Sequence, residues 1–207
     1  LTFYHSSSKK ILSNVNIIFK ENAIIGIVGK SGVGKSTFVD ILTGLMLPQE
    51  GGVFYNGENI LNDIRSWRQK IGYVPQSVYL LDDSIENNIL FGSPKVENHD
   101  VFLNKILNIC QLTDTINDLN LKEKTLVGER GVRLSGGQIQ RIGIARALYR
   151  KPVILILDES TSALDLKTEE EIYKLIYDLK GFKNIFIISH RFKSLEKCDL
   201  IYELKDG

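Results

Sequence analysis

The chain has 207 residues, 43% of them hydrophobic and 25% charged, with a formal net charge of +1. That is one globular domain's worth of chain, long enough to bury a core without covalent staples. The near-zero charge excludes a dedicated polyanion binder, so no nucleic-acid partner is expected, but a local site for a few phosphates is compatible with it.

A short opening segment, 1–4, leads into a polar turn over 5–10. Val15, Ile17 and Phe19 alternate with Asn16, Ile18 and Lys20, which predicts a half-buried strand. Ile24–Val28 is a continuous apolar run of the buried-strand type. A glycine-rich turn follows, then an amphipathic helix over 36–45 that stops at Gly44 and Pro48. Residues 51–55 and 71–74 read as short strands, with a short helix over 62–70 between them. From 84 to 120 the character changes. Ile85, Ile89 and Leu90, then Val101, Ile106, Ile109 and Leu112, recur at helical spacing with no strand candidate among them. This predicts a helical subdomain inserted in an α/β core. Residues 136–150 form another helix, with Ile139, Ile142, Ala145 and Leu148 along one face. Strands are expected at 153–157, 184–189 and 200–204, and a helix at 169–179. The fold class is α/β, with a mostly parallel sheet covered on both faces.

Cys110 and Cys198 stand far apart, and His5, His99 and His190 are scattered. Neither a disulfide framework nor a metal-ligand spacing is visible. Cysteine scarcity points to a reducing, intracellular setting. No run approaches the length of a membrane span and no signal peptide is present. A start at Leu1 without Met reads as a piece of a longer polypeptide.

Gly29-Lys30-Ser31-Gly32-Val33-Gly34-Lys35-Ser36 fits the phosphate-loop pattern, in the right context of buried strand before and helix after. Glycines let the backbone wrap phosphate oxygens without a Cβ clash. Successive N–H groups form an anion-binding concavity, and the helix start adds its dipole. Lys35 is placed to reach the β- and γ-phosphates, and the Ser36 hydroxyl to sit on Mg²⁺. Asn104-Lys105-Ile106-Leu107 lacks the aspartate of a guanine-reading motif, which favours adenine, hence ATP. Asp158 and Glu159 end an apolar strand, where a carboxylate faces the ligand crevice of such sheets. Asp158 can hold Mg²⁺, and Glu159 can accept a proton from attacking water. Alone, the pair reads more readily as a helix N-cap; beside the phosphate loop the site reading prevails. Leu134-Ser135-Gly136-Gly137-Gln138 is a second glycine-rich helix opening, a phosphate device with no nucleotide of its own. The simplest explanation is a nucleotide bound to another copy of the chain.

In this set of motifs the chain resembles the nucleotide-binding domain of an ABC transporter, over essentially all 207 residues. The phosphate loop, extended through Thr37, matches the family's Walker A motif, and Gln76 its Q-loop glutamine. Leu134–Gln138 matches the signature motif, Asp158 and Glu159 the Walker B end and catalytic glutamate. Ser162-Ala163-Leu164-Asp165 matches the D-loop, and His190 the switch histidine. Tyr4 stands where the family places an aromatic that stacks on adenine, although a tyrosine there also serves as a packed aromatic. Asp165 is also a natural N-cap for the helix that follows it.

The resemblance implies a P-loop NTPase with an antiparallel β edge near the N-terminus, a RecA-like core at about 1–83 and 151–207, and a helical subdomain at about 84–150. It implies two such domains pairing head to tail with two ATP sandwiched between them. Each ATP meets the phosphate loop, Asp158, Gln76 and His190 of one chain and Ser135, Gly136, Gly137, Gln138 and Asp165 of the other. Glu159 would polarise the water, His190 contact the γ-phosphate, and Gln76, with Ser36 and Asp158, sense or hold Mg²⁺. Thr125-Leu126-Val127-Gly128-Glu129-Arg130-Gly131 and Ser84-Ile85-Glu86-Asn87-Asn88-Ile89 resemble exporter-type members, in which these surfaces receive a transmembrane domain. The phrase from Ser77 to Ser84 resembles bacterial exporters of lipid-linked glycans. The implied setting is the cytoplasmic side of the bacterial inner membrane. Ile139 and Leu126 depart from the family's usual charged residues. Rival readings are an ABC ATPase that moves no solute, a non-hydrolysing regulatory module and an unrelated P-loop kinase.

Overall fold

A computed structural model describes residues 1–4, 10–161, 164–181 and 184–205. In chain order the elements are β1 (Phe3–Tyr4), β2 (Lys10–Leu12), β3 (Ile24–Val28), α1 (Lys35–Leu42), β4 (Phe54–Tyr55), β5 (Glu58–Asn59), α2 (Ile64–Gln69) and β6 (Ile71–Val74). Then follow α3 (Ile85–Leu90), α4 (His99–Ile109), α5 (Thr113–Asn117), α6 (Gly136–Tyr149), β7 (Ile154–Asp158), α7 (Leu166–Asp178), β8 (Asn184–Ser189) and β9 (Leu200–Glu203). Five strands form one sheet in the order β6-β7-β8-β3-β9, and every pairing in it is parallel. β1–β2 and β4–β5 are separate antiparallel pairs.

Side chains alternate across the pleat, so each apolar strand feeds two cores. Ile24 and Val28 of β3, Leu155 and Leu157 of β7, and Ile185 and Ile187 of β8 face a core shared with α3 to α7. Ile25, Ile27, Ile154, Ile156, Phe186 and Ile188 face the opposite core, under α1, α2 and the β1–β2 pair. Trp67 of α2 fills that second core, and its indole N–H donates to the Leu42 carbonyl at the end of α1 (2.9 Å). Beyond α1 the chain turns at Gly44 (φ 71°), where a Cβ would lie 2.3 Å from Ile64 Cδ1. Glycine there is both the helix stop and the condition for α2 to pack close. The two cysteines serve packing. Burial pushes the Cys110 thiol up to about 12 and that of Cys198 to about 11, so both stay protonated near neutral pH.

Two expectations need correction. Residues 15–20 alternate in burial as expected, yet form no strand: Val15 alone exchanges backbone hydrogen bonds with Leu1 (2.8 and 2.9 Å). Alternation sets which side is apolar, but a strand also needs a backbone partner along its length. The strand expected over 51–55 is only β4, folded back on β5 through Asn56 and Gly57, both with positive φ (51° and 83°). This Asn-Gly turn is the strongest short hairpin signal a sequence carries, and it was there to be read. The helical stretch after 84 is interrupted as well: Phe91 (φ 41°) and Gln111 (φ 53°) turn the chain between α3, α4 and α5.

On β6, a Cβ at Gly72 would lie 3.1 Å from the Ala147 carbonyl and 2.9 Å from Pro152 Cγ. Gly72→Val therefore forces α6 off the sheet. It is expected to cost about 1–3 kcal/mol and to lower the melting temperature by roughly 2–10 °C, measured by circular dichroism.

Candidate functional site

Strands β7, β8 and β3 are neighbours, and their carboxyl ends deliver the predicted residues to one edge. Val28 of β3 pairs with Ser189 of β8, and Asp158 of β7 with Ile188 of β8. The glycine-rich loop, Glu159 and His190 therefore emerge side by side, in the crevice where doubly wound sheets hold ligands.

The loop after β3 is shaped for an anion. Gly34 caps α1 with φ 107°, a backbone open to glycine, and a Cβ there would lie 3.0 Å from Ile11 Cγ2 of β2. The first helical bond of α1 runs from Phe38 N–H to Gly34 O (2.8 Å). The amides of Lys35, Ser36 and Thr37 thus have no helical acceptor, and the N-cap, Gly34, offers them no side-chain cap. Lys35 is 8% exposed and donates to the carbonyls of Gly29 (2.9 Å) and Lys30 (3.1 Å). Its ammonium is folded over the loop rather than loose in water.

Glu159 lies between the side chains of Lys35 and His190. Oε1 is 3.4 Å from Lys35 Nζ, and Oε2 is 3.7 Å from His190 Nδ1. The residue has φ 45°, while its N–H still donates to Ile188 O (3.0 Å). The chain is held to β8 up to the residue where it swings out of the sheet, in a backbone region costly for a residue with a side chain.

Asp158 accepts a hydrogen bond from the Tyr73 hydroxyl on β6 (3.0 Å). Burial pushes the Asp158 carboxyl above the usual range. The Tyr73 bond pulls it back, the charges of Glu159 and Asp40 push it up again, and Lys35 lowers it. Burial and Asp158 likewise raise the Tyr73 phenol. This surplus of negative charge fits a divalent cation. Among the described residues no cluster of three or more His, Cys, Asp or Glu can hold a metal alone. Ser36, Asp158 and Gln76 are the residues that the sequence offers to Mg²⁺, an ion bound through one or two carboxylates together with substrate phosphates. The sequence reading missed Tyr73, and no motif marks it.

The second glycine-rich segment sits at the start of α6. Ser135 Oγ accepts from Gln138 N–H (3.2 Å) and Gln138 Oε1 from Ser135 N–H (2.8 Å), a reciprocal capping box. The polar groups of Ser135 and Gln138 engage each other. A Cβ on Gly137 would meet Thr168 Cγ2 at 2.5 Å, and one on Gly136 would meet Leu164 Cδ2 at 3.3 Å. The segment is thus packed on the start of α7. There Asp165 is the N-cap, accepting from Thr168 N–H (3.1 Å) and Thr168 Oγ1 (2.7 Å), bonds that hold its carboxyl below the usual range. Ser162 and Ala163 lie outside the described residues.

One face of α6 also holds the chain after β6. Gln140 Nε2 donates to the Gln76 carbonyl (3.2 Å), and Arg146 to the Tyr79 carbonyl (3.0 Å). A Cβ on Gly143, between them, would meet Val78 Cγ2 at 2.5 Å. Gln76 itself is exposed. Tyr4 is half-buried on β1, its backbone fixed by the Gln49 amide (2.9 and 3.1 Å). The two exporter-like segments meet: Ser84 bridges Leu126, Ile85 N–H donates to Thr125 O (3.1 Å), and Val127 N–H to Asp83 O (3.1 Å).

Fold and site together define a nucleotide-binding domain of the P-loop, doubly wound α/β class. The chain belongs to the ABC transporter family, whose profile matches residues 12–162. It is 39% identical over its whole length to an export ATP-binding/permease protein of Rickettsia typhi, covering 36% of that protein. It is 37% identical over 99% of its length to the alpha-hemolysin translocation ATP-binding protein HlyB of Escherichia coli, covering 29% of it. Among solved structures, a bacterial Atm1-family ABC exporter with ATP bound superposes with a TM-score of 0.88 at 33% identity. That match covers all of this chain and 36% of the other. The chain thus spans about a third of the length of these relatives. Among the described residues no helix is long and apolar enough to cross a membrane.

Asp158→Asn removes a charge that the fold disfavours while keeping an acceptor for Tyr73. A carboxyl raised in the folded state weakens folding where it is ionised, and that penalty fades as pH falls through its folded value. In the absence of nucleotide the variant should melt at or about 1–3 °C above the parent at pH 7. The difference should close toward pH 4, as measured by thermal unfolding across pH.

Proposed function

We propose that this chain is the ATP-hydrolysing motor of an exporter, working as a head-to-tail pair with two ATP between the copies. The observation that carries this reading is the convergence of the uncapped α1 start, Glu159 and His190 at one sheet edge. A second glycine-rich helix start at Ser135 is capped by its own Gln138 and packs on the start of α7. Loop amides and Lys35 bind the phosphates. Ser36, Asp158 and Gln76 hold Mg²⁺, which when bound neutralises phosphate charge. Glu159 takes a proton from the attacking water, and its contacts with Lys35 and His190 aim the carboxylate. His190 orients the γ-phosphate, and Tyr4 stacks on adenine. Ser135, Gly136, Gly137, Gln138 and Asp165 of the second copy close the site, an isologous arrangement. Residues 84–150 act as the helical subdomain on a core of 1–83 and 151–207, a division supported by α3 to α6 gathering on one sheet face.

The paired segments at Ser84 and Leu126 support docking of a transmembrane domain. They leave Tyr79, Leu81 and Leu126 exposed (57%, 42% and 51%), apolar surface suited to an apolar partner. Such docking sets the motor on the cytoplasmic side of a membrane. Transport of lipid-linked glycans belongs to the same reading, supported only by the sequence from Ser77 to Ser84.

ATPase assays with Mg²⁺ at rising protein concentration test the pair. Specific activity of the wild type should rise with concentration. Glu159→Gln should keep ATP affinity within a few-fold and lose about 10²–10³ in kcat. Flat specific activity, insensitive to Glu159, sinks the shared-site reading.

A further inference from the structure

Glu169 enters none of the chemistry above, yet its carboxylate is buried, 8% exposed, in the first turn of α7. It is met from two sides. Thr161, two residues after Glu159, donates through its hydroxyl to Glu169 Oε1 (3.0 Å). Arg191, the residue after His190, donates through Nη1 to Glu169 Oε2 (3.1 Å). A single carboxylate thus ties the chain leaving β7 to the chain leaving β8, just beyond the two residues that face each other at 3.7 Å.

The same helix face reinforces both attachments. Glu169, Tyr173 and Tyr177 are four apart and share one side of α7. The Tyr173 hydroxyl lies 3.0 Å from Thr161 Oγ1, and the Tyr177 hydroxyl donates to the Ser194 carbonyl (2.9 Å). Ser194 Oγ donates to the Arg191 carbonyl (2.7 Å), and Arg191 N–H donates to Ser189 Oγ (3.0 Å). The backbone around Arg191 is therefore fixed by hydroxyls and its side chain by Glu169. An acid in a helix's first turn gains from the dipole, but that gain requires neither burial nor two partners from two different loops.

Resting on the ATPase reading, we propose that Glu169 is a positioning residue for hydrolysis: it clamps Thr161 to Arg191 and thereby holds Glu159, on the water, in register with His190, on the γ-phosphate. A misplacement of about 1 Å at a reacting group can cost about a hundredfold in rate, so the clamp's effect falls on kcat and not on nucleotide binding. Glu169→Gln keeps the volume and an acceptor for Thr161 while removing the charge that holds Arg191. Arg191→Lys keeps the charge and removes the planar fork that fixes its direction.

Steady-state ATPase of the 207-residue chain provides the test. Each variant is expected to lose about 10- to 100-fold in kcat while KM for ATP stays within about twofold, the split expected when a group acts only in the transition state. In a His190→Ala background, adding Glu169→Gln should cost less than about twofold more, because Glu159 no longer has His190 to be held in register with. Wild-type kcat in Glu169→Gln, or the same loss with and without His190, overturns the clamp while leaving the ATPase reading intact. If Glu169→Gln melts below the assay temperature, Arg191→Lys decides, and its retention of kcat overturns the proposal. No ATP turnover by the wild type overturns the ATPase reading and the clamp with it, and turnover indifferent to Glu159→Gln overturns the role of Glu159 on which the clamp acts.

Discussion

The backbone ladder that joins β7, β8 and β3 is the constraint on which the site depends. Asp158 pairs with Ile188, Glu159 N–H continues that ladder by one bond, and Val28 pairs with Ser189. A slip of one residue in either pairing would turn Glu159 or the phosphate loop toward a core instead of the crevice. The register is held because both faces of these strands are apolar and buried, so each pleat position has an assigned core. The apolar runs thus do more than stabilise. They fix, to the residue, where three distant pieces of chain end.

At that edge the electrostatics are unbalanced in two directions. The amides at the start of α1 suit negative charge and Lys35 is paired with Glu159, while the charges of Glu159 and Asp40 bear on Asp158 beside them. A folded domain without ligand tolerates this at some cost to its stability. A phosphate group would supply the charge that the amides and ammonium suit, and a divalent cation the charge that the carboxylates suit. The left-handed backbone at Glu159 has the same character: a local cost that aims a carboxylate where no regular strand would.

Helix α6 joins two parts of the molecule that a motif list treats separately. Its start is the capped Ser135 segment, and its flank at Gln140, Gly143 and Arg146 grips the chain from Gln76 to Tyr79. Movement of one is thereby movement of the other, since a packed interface of this kind is not continuously deformable. Arg146 further reaches the Asn88 carbonyl (2.9 Å) and lies over the Phe91 ring, which extends the same rigid body to α3.

Much of this protein is written locally. The phosphate loop, the acids ending β7, the capping box at Ser135 and the order of strands and helices follow from residue types at short spacing, because glycine conformation, helix capping and pleat alternation are local physics. The Asn56-Gly57 hairpin was equally local and was overlooked. Other features had no local sign. Whether residues 15–20 pair, that Tyr73 meets Asp158 across two strands, and that Glu169 bridges Thr161 and Arg191 depend on which distant segments the sheet places side by side. Such contacts are set by strand order and register, properties of the packed whole, and a single buried carboxylate in a helix looks in sequence like any solvated one.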